Sequence, residues 1–271
     1  MMLLYFKTTQ CNNVVYAEKQ QVYGMSESTE LASCNVTMSN ALTRASHALS
    51  LVEKRLIAAA IAKTDSRKGA KVHAHLAQFT NLKITAIEFA ETYGVDTRNA
   101  YEELKSASKN LFHRYIKLTY KDGDEDLFRW VSGVKYRKSL GYVELSFTPE
   151  VYPHLNALSR EYTTYKLRNA AALRSVYSWR LFELAKSWLD YCKTKQKPFK
   201  IQLKDLRHAL ETPESYKWDN LRTRALEPAI KEIAQHAGLK ISYSVIKTGR
   251  SITALDISVS EISQMQLPLS D

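Results

Sequence analysis

Leu221-Arg-Thr-Arg-Ala-Leu-Glu-Pro-Ala-Ile-Lys-Glu-Ile-Ala-Gln-His-Ala-Gly238 runs directly into Leu239-Lys-Ile-Ser-Tyr-Ser-Val-Ile-Lys-Thr-Gly-Arg-Ser-Ile-Thr-Ala-Leu-Asp-Ile-Ser-Val259. In the first segment Leu221, Ala225, Ala229, Ile233 and Ala237 recur at helical spacing, and Gly238 supplies the stop. In the second, Lys240 to Ile246 and Ile252 to Val259 read as two strands joined at Thr248-Gly249. A helix feeding a β-hairpin is the latter half of a winged helix. Upstream, Leu173, Val176, Tyr177, Leu181, Leu184 and Trp188 mark an amphipathic helix. Phe199 to Leu203 then reads as a short strand and Leu206 to Leu210 as a short helix. Pro228 conflicts with a continuous helix, where it would cost about 3 kcal/mol. The spacing therefore predicts either a kink or a new turn with Pro228 near its first position.

The same order occurs earlier in the chain. Leu49, Val52, Leu56 and Ala60 share a helical face. Thr85 caps a short helix through Ile87, Phe89 and Ala90 that ends at Gly94. Asp96 caps a longer helix striped by Ala100, Leu104, Ala107, Leu111 and Phe112. Strand-like alternations follow at Tyr115 to Tyr120, Phe128 to Tyr136 and Tyr142 to Phe147, with turns at Asp122-Gly123 and Leu140-Gly141. The predicted class is α+β: two tandem winged-helix domains related by pseudo-duplication, inferred from element order alone. The expected division is a flexible lead-in at 1–44, a first domain at 45–160, a second at 161–260 and a tail at 261–271. The joint falls between Ser159 and Arg168. Met25 reads as an alternative start, so that the first 24 residues add nothing to the fold.

Thirty-nine Lys and Arg against 28 Asp and Glu leave a charge of +11 over 271 residues. A surplus of that size favours a polyanionic partner. Three scattered cysteines, Cys11, Cys34 and Cys192, have neither disulfide-framework nor zinc spacing, so a reduced cytoplasm is expected. No apolar run has the length of a membrane helix.

In the second domain Lys217, Asn220, Arg222, Thr223 and Arg224 cluster at the start of the third helix. Arg can bond guanine bidentately and Asn can bond adenine, so this set suits base reading in a major groove. Lys247 and Arg250 flank the hairpin tip, where cations meet backbone or minor groove. The first domain offers Thr97, Arg98, Asn99, Lys105, Lys109 and Arg114, but Glu102 and Glu103 beside them would repel phosphate. Weaker DNA contact is expected there. Lys193, Lys195, Lys197 and Lys200 read as a solubilising loop or a phosphate contact. His73-Ala-His75 has the His-hydrophobic-His form of metal-dependent nicking enzymes, but Tyr162 and Tyr165 lie in the joint, away from it. No phosphate-binding Gly-Lys loop exists. No catalytic residue, metal or cofactor is assigned.

Ser175-Val-Tyr-Ser-Trp-Arg-Leu-Phe-Glu-Leu184 resembles the signature helix of the iteron-binding plasmid replication initiators, the Rep family, with Phe182 in place of the usual tyrosine. Leu51 to Leu56, Ile84 to Gly94, Arg129-Trp-Val131, Leu226 to Ile233 and the hairpin from Lys247 are similar to that family too. The resemblance spans about Ala45 to Val259 and includes the proline. It departs at Asp256, where an aromatic or apolar residue is usual, which puts that strand's edge pairing in question. The resemblance implies two winged-helix domains gripping one iteron of double-stranded DNA as a monomer. It also implies a homodimer through the amino-terminal domain that represses an operator, and recruitment of a host initiator and replicative helicase. Through the signature helix it adds Ser175, Tyr177 and Arg180 to the DNA-binding residues, Ser175 as a phosphate contact and Arg180 beside Glu183 one turn away. A winged-helix repressor without an initiation role is the alternative, and a nickase using His73 and His75 a remoter one.

Overall fold

The computed structural model describes residues 31–64, 79–120, 122–155 and 161–262. Strand β1 (Asn35–Ser39) leads into the short helix α1 (Asn40–Arg44), then α2 (Leu51–Ala62). Strand β2 (Leu82–Thr85), α3 (Ala86–Tyr93) and α4 (Thr97–Leu111) follow. Four strands come next: β3 (Tyr115–Thr119), β4 (Glu125–Arg129), β5 (Val131–Arg137) and β6 (Tyr142–Phe147). Short α5 (Tyr152–Leu155), strand β7 (Tyr162–Lys166) and α6 (Arg168–Ala171) precede the 20-residue α7 (Val176–Lys195). The chain then gives β8 (Phe199–Gln202), α8 (Leu203–Leu210), α9 (Trp218–Leu221), a π-helical turn at Arg222–Leu226 and α10 (Glu227–His236). Strands β9 (Leu239–Thr248) and β10 (Ser251–Glu261) close it.

Two three-stranded antiparallel sheets carry the duplication, ordered β2-β6-β5 and β8-β10-β9. In each the last strand of its module lies in the centre, and each follows the run helix, strand, helix, helix, strand, strand. These are two winged helices. The helix starts are set locally. Ser50 with Glu53 and Thr85 with Glu88 form reciprocal capping boxes on α2 and α3, and Asp96 accepts from Arg98 N on α4. Gly94 and Gly141 take φ of 61° and 65°, the left-handed region that a side chain would strain. The first module adds the β3–β4 hairpin between its third helix and its wing.

Pro228 sits in the first turn of α10, immediately after the π-turn. Glu227 N bonds Arg222 O five residues back, so the ladder is already widened where the proline ring needs room. The helix continues through the proline by that device. Asp256 pairs normally, opposite Ser244 on β9 and Lys200 on β8, in the central strand.

The lead-in reading is corrected for Leu31 to Arg44. Strand β1 pairs with β7 from Asn35↔Lys166 to Ser39↔Tyr162, and Val36, Met38 and Leu42 are completely buried. The joint at Ser159–Arg168 accordingly contains a strand. Residues 1–30 and 263–271 lie outside the described residues.

Helix α7 belongs to both cores. Toward the first module, Trp179 stands 6.2 Å from the Tyr93 ring and Phe182 meets Tyr165 edge-on at 5.0 Å. Toward the second, Trp188 stacks on Phe199 at 5.0 Å. Glu183 is fully buried and ion-paired to Lys54 at 2.7 Å, and it accepts from Tyr165 Oη and Trp179 Nε1. A carboxylate so enclosed is tolerable only because cation and donors converge on it.

Candidate nucleic-acid interface

The helical unit α9–π-turn–α10 turns Leu221, Ala225, Leu226, Ala229 and Ile233 into the core. Its opposite side presents Lys217, Thr223 and Arg224 to solvent, with Asn220 half-buried at the flank. Thr223 Oγ1 donates to Asp219 O at 2.7 Å. Arg222 is half-exposed. It donates from Nη1 to Glu227 Oε1 at 3.2 Å and reaches Asp219 at 4.0 Å. The Tyr243 hydroxyl donates to the same Glu227 oxygen, so the carboxylate holds the guanidinium in one orientation while leaving donors unspent. Arg224 lies 5.8 Å over the Tyr216 ring.

Beside this helix the β9–β10 wing ends in Gly249 at φ 61°, with Lys247, Thr248 and Arg250 exposed. A bulge between Ile252 and Ala254 sets Thr253 Oγ1 3.2 Å from Thr248 Oγ1, bracing the tip. Among the described residues neither Lys247 nor Arg250 has an ion-pair partner, nor do Lys217 and Arg224.

The corresponding face of the first module is more occupied. Arg98 is bonded to Asp96, with Nη2 at 2.6 Å from Oδ2, and these bonds hold the Asp96 carboxyl below its usual range. Lys105 lies 3.8 Å from Glu102. Arg114 turns back to Glu53. Asn99 and Lys109 are exposed. The sequence reading missed this module's wing tip, where Arg137 and Lys138 are exposed ahead of Gly141 and Lys135 bonds Asn81. The signal was present: the cation run Lys135-Tyr-Arg137-Lys138 before Leu140-Gly141 parallels the tip of the second wing.

Arg180 does not belong to this interface, which corrects its assignment to DNA. It is 2% exposed; Nε donates to Ala209 O at 2.7 Å and Nη2 to Ala45 O at 2.6 Å. Its Nη1 donates to His47 Nδ1 at 3.0 Å, which leaves the proton of a neutral imidazole on Nε2, facing Leu42 O. Nor does it pair with Glu183, which Lys54 takes. The planar fork meets two carbonyls and a ring nitrogen at once, a geometry that solvent contact would undo. Ser175 is the N-cap of α7, its Oγ accepting from Tyr177 N at 3.1 Å. Tyr177 is half-buried, its hydroxyl pushed up first by burial and then by bonding to Tyr216, the residue under Arg224.

His73 and His75 lie outside the described residues. Tyr165 is buried against Glu183, and burial pushes its hydroxyl far above the usual range. Among the described residues no cluster of His, Cys, Asp or Glu is arranged to hold a metal, and no helix is long and apolar enough to cross a membrane.

Comparison with known proteins agrees with this architecture. A family model described as "Initiator Replication protein, WH1" matches residues 35–186, and one described as "Initiator Rep protein, WH2" matches 202–259. The crystal structure of the Pi initiator protein in complex with iteron DNA is 22% identical, with a TM-score of 0.69, covering 86% of this chain and 99% of that one. An uncharacterised 27.6 kDa protein of Escherichia coli is 23% identical over 81% of this chain and 93% of its own length. The WH1 domain of MSBI1.176, a replication protein isolated from a multiple sclerosis patient, is 29% identical over 40% of this chain and 78% of that one, with a TM-score of 0.30.

Proposed function

We propose that this chain, which belongs to the replication-initiator family built of WH1 and WH2 modules, starts plasmid replication by binding iterons in double-stranded origin DNA as a monomer. The observation that carries the reading is the second module's face: a base-reading helix with Lys217, Thr223 and Arg224 outward, beside a braced wing whose Lys247 and Arg250 have no carboxylate partner among the described residues. The Pi initiator, which shares the fold, was solved on iteron DNA. The second module, with its sheet and reading helix between Phe199 and Glu261, supplies most of the sequence specificity through Lys217, Asn220, Arg222, Thr223 and Arg224. The first module, which includes β1 and its partner β7, grips more weakly through Arg98, Asn99 and Lys105.

Homodimers form through the first module and repress an operator. Its β3–β4 hairpin carries Tyr115, Tyr120 and Leu127 exposed, Leu127 at 63%, a surface suited to a second copy. Monomers on tandem repeats help open an adjacent A·T-rich segment, where host initiator and replicative helicase are recruited.

The DNA beside the gene tests this directly. Direct repeats of roughly one or two helical turns next to an A·T-rich stretch are expected. Removing the gene from a minimal plasmid should stop replication; continued replication would leave a repressor only. With supercoiled origin DNA and Mg²⁺ or Mn²⁺, no covalent protein–DNA adduct should form, and an adduct on a tyrosine would assign His73 and His75 to nicking.

A further inference from the structure

The segment Ala45 to Ala48 is held from two sides. Ser46 exchanges both backbone bonds with Lys117 of β3, N to O at 3.2 Å and O to N at 3.0 Å. The His47 ring meets Trp130, at the end of β4, edge-on at 5.0 Å. Those contacts fasten the segment to the first module. From the second module, Glu211 closes the far end of α8 in the left-handed region, at φ 55°. Its Oε1 accepts from Ser46 Oγ at 2.9 Å, Ala48 N at 2.8 Å and His47 N. Ala48 is itself left-handed at φ 49°. Two non-glycine residues in that region, face to face across one carboxylate, persist only where surrounding contacts hold them. Arg180 completes the grip by joining Ala45 O to Ala209 O, two residues before Glu211.

Glu211 also begins the turn that leads into the base-reading helix at Trp218. The clasp therefore ties the approach to the second module's reading helix onto the β3 hairpin that follows the first module's reading helix. Helix α7 joins the two cores at their centre, whereas this clasp joins them beside the DNA-facing elements. We infer that Glu211 and Arg180 are positioning residues that set the separation of the two reading helices and so the spacing of half-sites the protein accepts. The inference rests on the DNA-binding reading above. A one-base-pair insertion between half-sites rotates one helix relative to the other by about 35° of duplex twist, which a rigid pair cannot follow.

The test uses the full chain and a duplex that wild-type protein selects from a random-sequence pool, its half-sites mapped by footprinting. Affinity is then measured on that duplex and on versions with one or two base pairs inserted between half-sites. Wild type should lose about 10- to 100-fold per insertion, the scale of one misplaced base pair. Glu211→Ala should lose no more than about threefold, having surrendered its preference, with Glu211→Gln between them. Arg180→Lys keeps the charge but not the fork, and should widen the tolerance in the same sense if Glu211→Ala fails to fold by circular dichroism. Folded variants that keep the wild-type spacing profile would overturn the assignment. A wild-type protein that selects no duplex would instead overturn the DNA-binding reading, and the clasp's role with it.

Discussion

Helix α4 and the α9–α10 unit occupy the same place in two copies of one fold, yet they present different chemistry. On α4 two of the three cations are held within the protein, Arg98 by Asp96 and Lys105 near Glu102, with Glu103 alongside. On the second unit Lys217 and Arg224 face solvent, Arg222 is oriented by Glu227 rather than cancelled, and a π-turn reshapes the surface around it. The lesson is that topology supplies the scaffold while side-chain pairing decides how much of it is available to a partner.

The harshest way to break the comparison is to remove the buried carboxylate of the helix that both modules share. Glu183→Ala leaves Lys54 buried without its anion and should destabilise the protein by about 3–5 kcal/mol, read as a lowered urea midpoint. Both modules should melt in one transition; two separate transitions would mean that the cores are independent. Next in size, Arg222→Ala should cost about 1–3 kcal/mol of specific binding and relax preference at one base position. Arg98→Ala should leave base preference unchanged. An equal, uniform loss from both would erase the distinction between the modules.

A pH series examines the segment that joins them. Burial first, then the nearby Arg180 and Lys54 charges, hold His47 well below its ordinary 6.5, so it is neutral in the folded protein. The unfolded chain takes up that proton near pH 6.5, so His47 contributes stability above this value that is lost as pH falls toward the lowered folded value. The slope cannot exceed one proton, about 1.4 kcal/mol per pH unit. Urea midpoints should fall between pH 7 and 5, and His47→Gln should flatten the fall. His154, held low by burial as well, will leave a residual slope in the same window. Smallest of all, Lys247→Ala should reduce the salt dependence of binding by about one counterion while sparing specificity. Arg137→Ala, at the equivalent tip, should do the same only if the first module touches DNA as well.

Much of this was legible in the sequence because short-range periods govern it. Leu221, Ala225, Ala229 and Ile233 are buried on one face, and the turn at Gly249 lies where the strands reverse. What escaped depends on distant partners. Strand β1 offers only Val36 and Met38 as apolar residues, and the strand that pairs with it begins at Tyr162. Arg180 and Glu183, three residues apart on a helix, looked like a surface pair. Their true partners, Ala45, Ala209 and His47 for the one and Lys54 for the other, come from elements that no local pattern connects. The π-turn announced itself only as a misplaced proline.

Because α7 walls both interiors, hybrids between relatives have good and bad seams. A crossover near residue 160 would part β1 from β7, Tyr93 from Trp179 and Lys54 from Glu183, whereas one in the loop after Lys195 would leave these intact and renew only the side of the helix where Trp188 meets Phe199. Hybrids joined at the second seam should therefore fold, and those joined at the first should not.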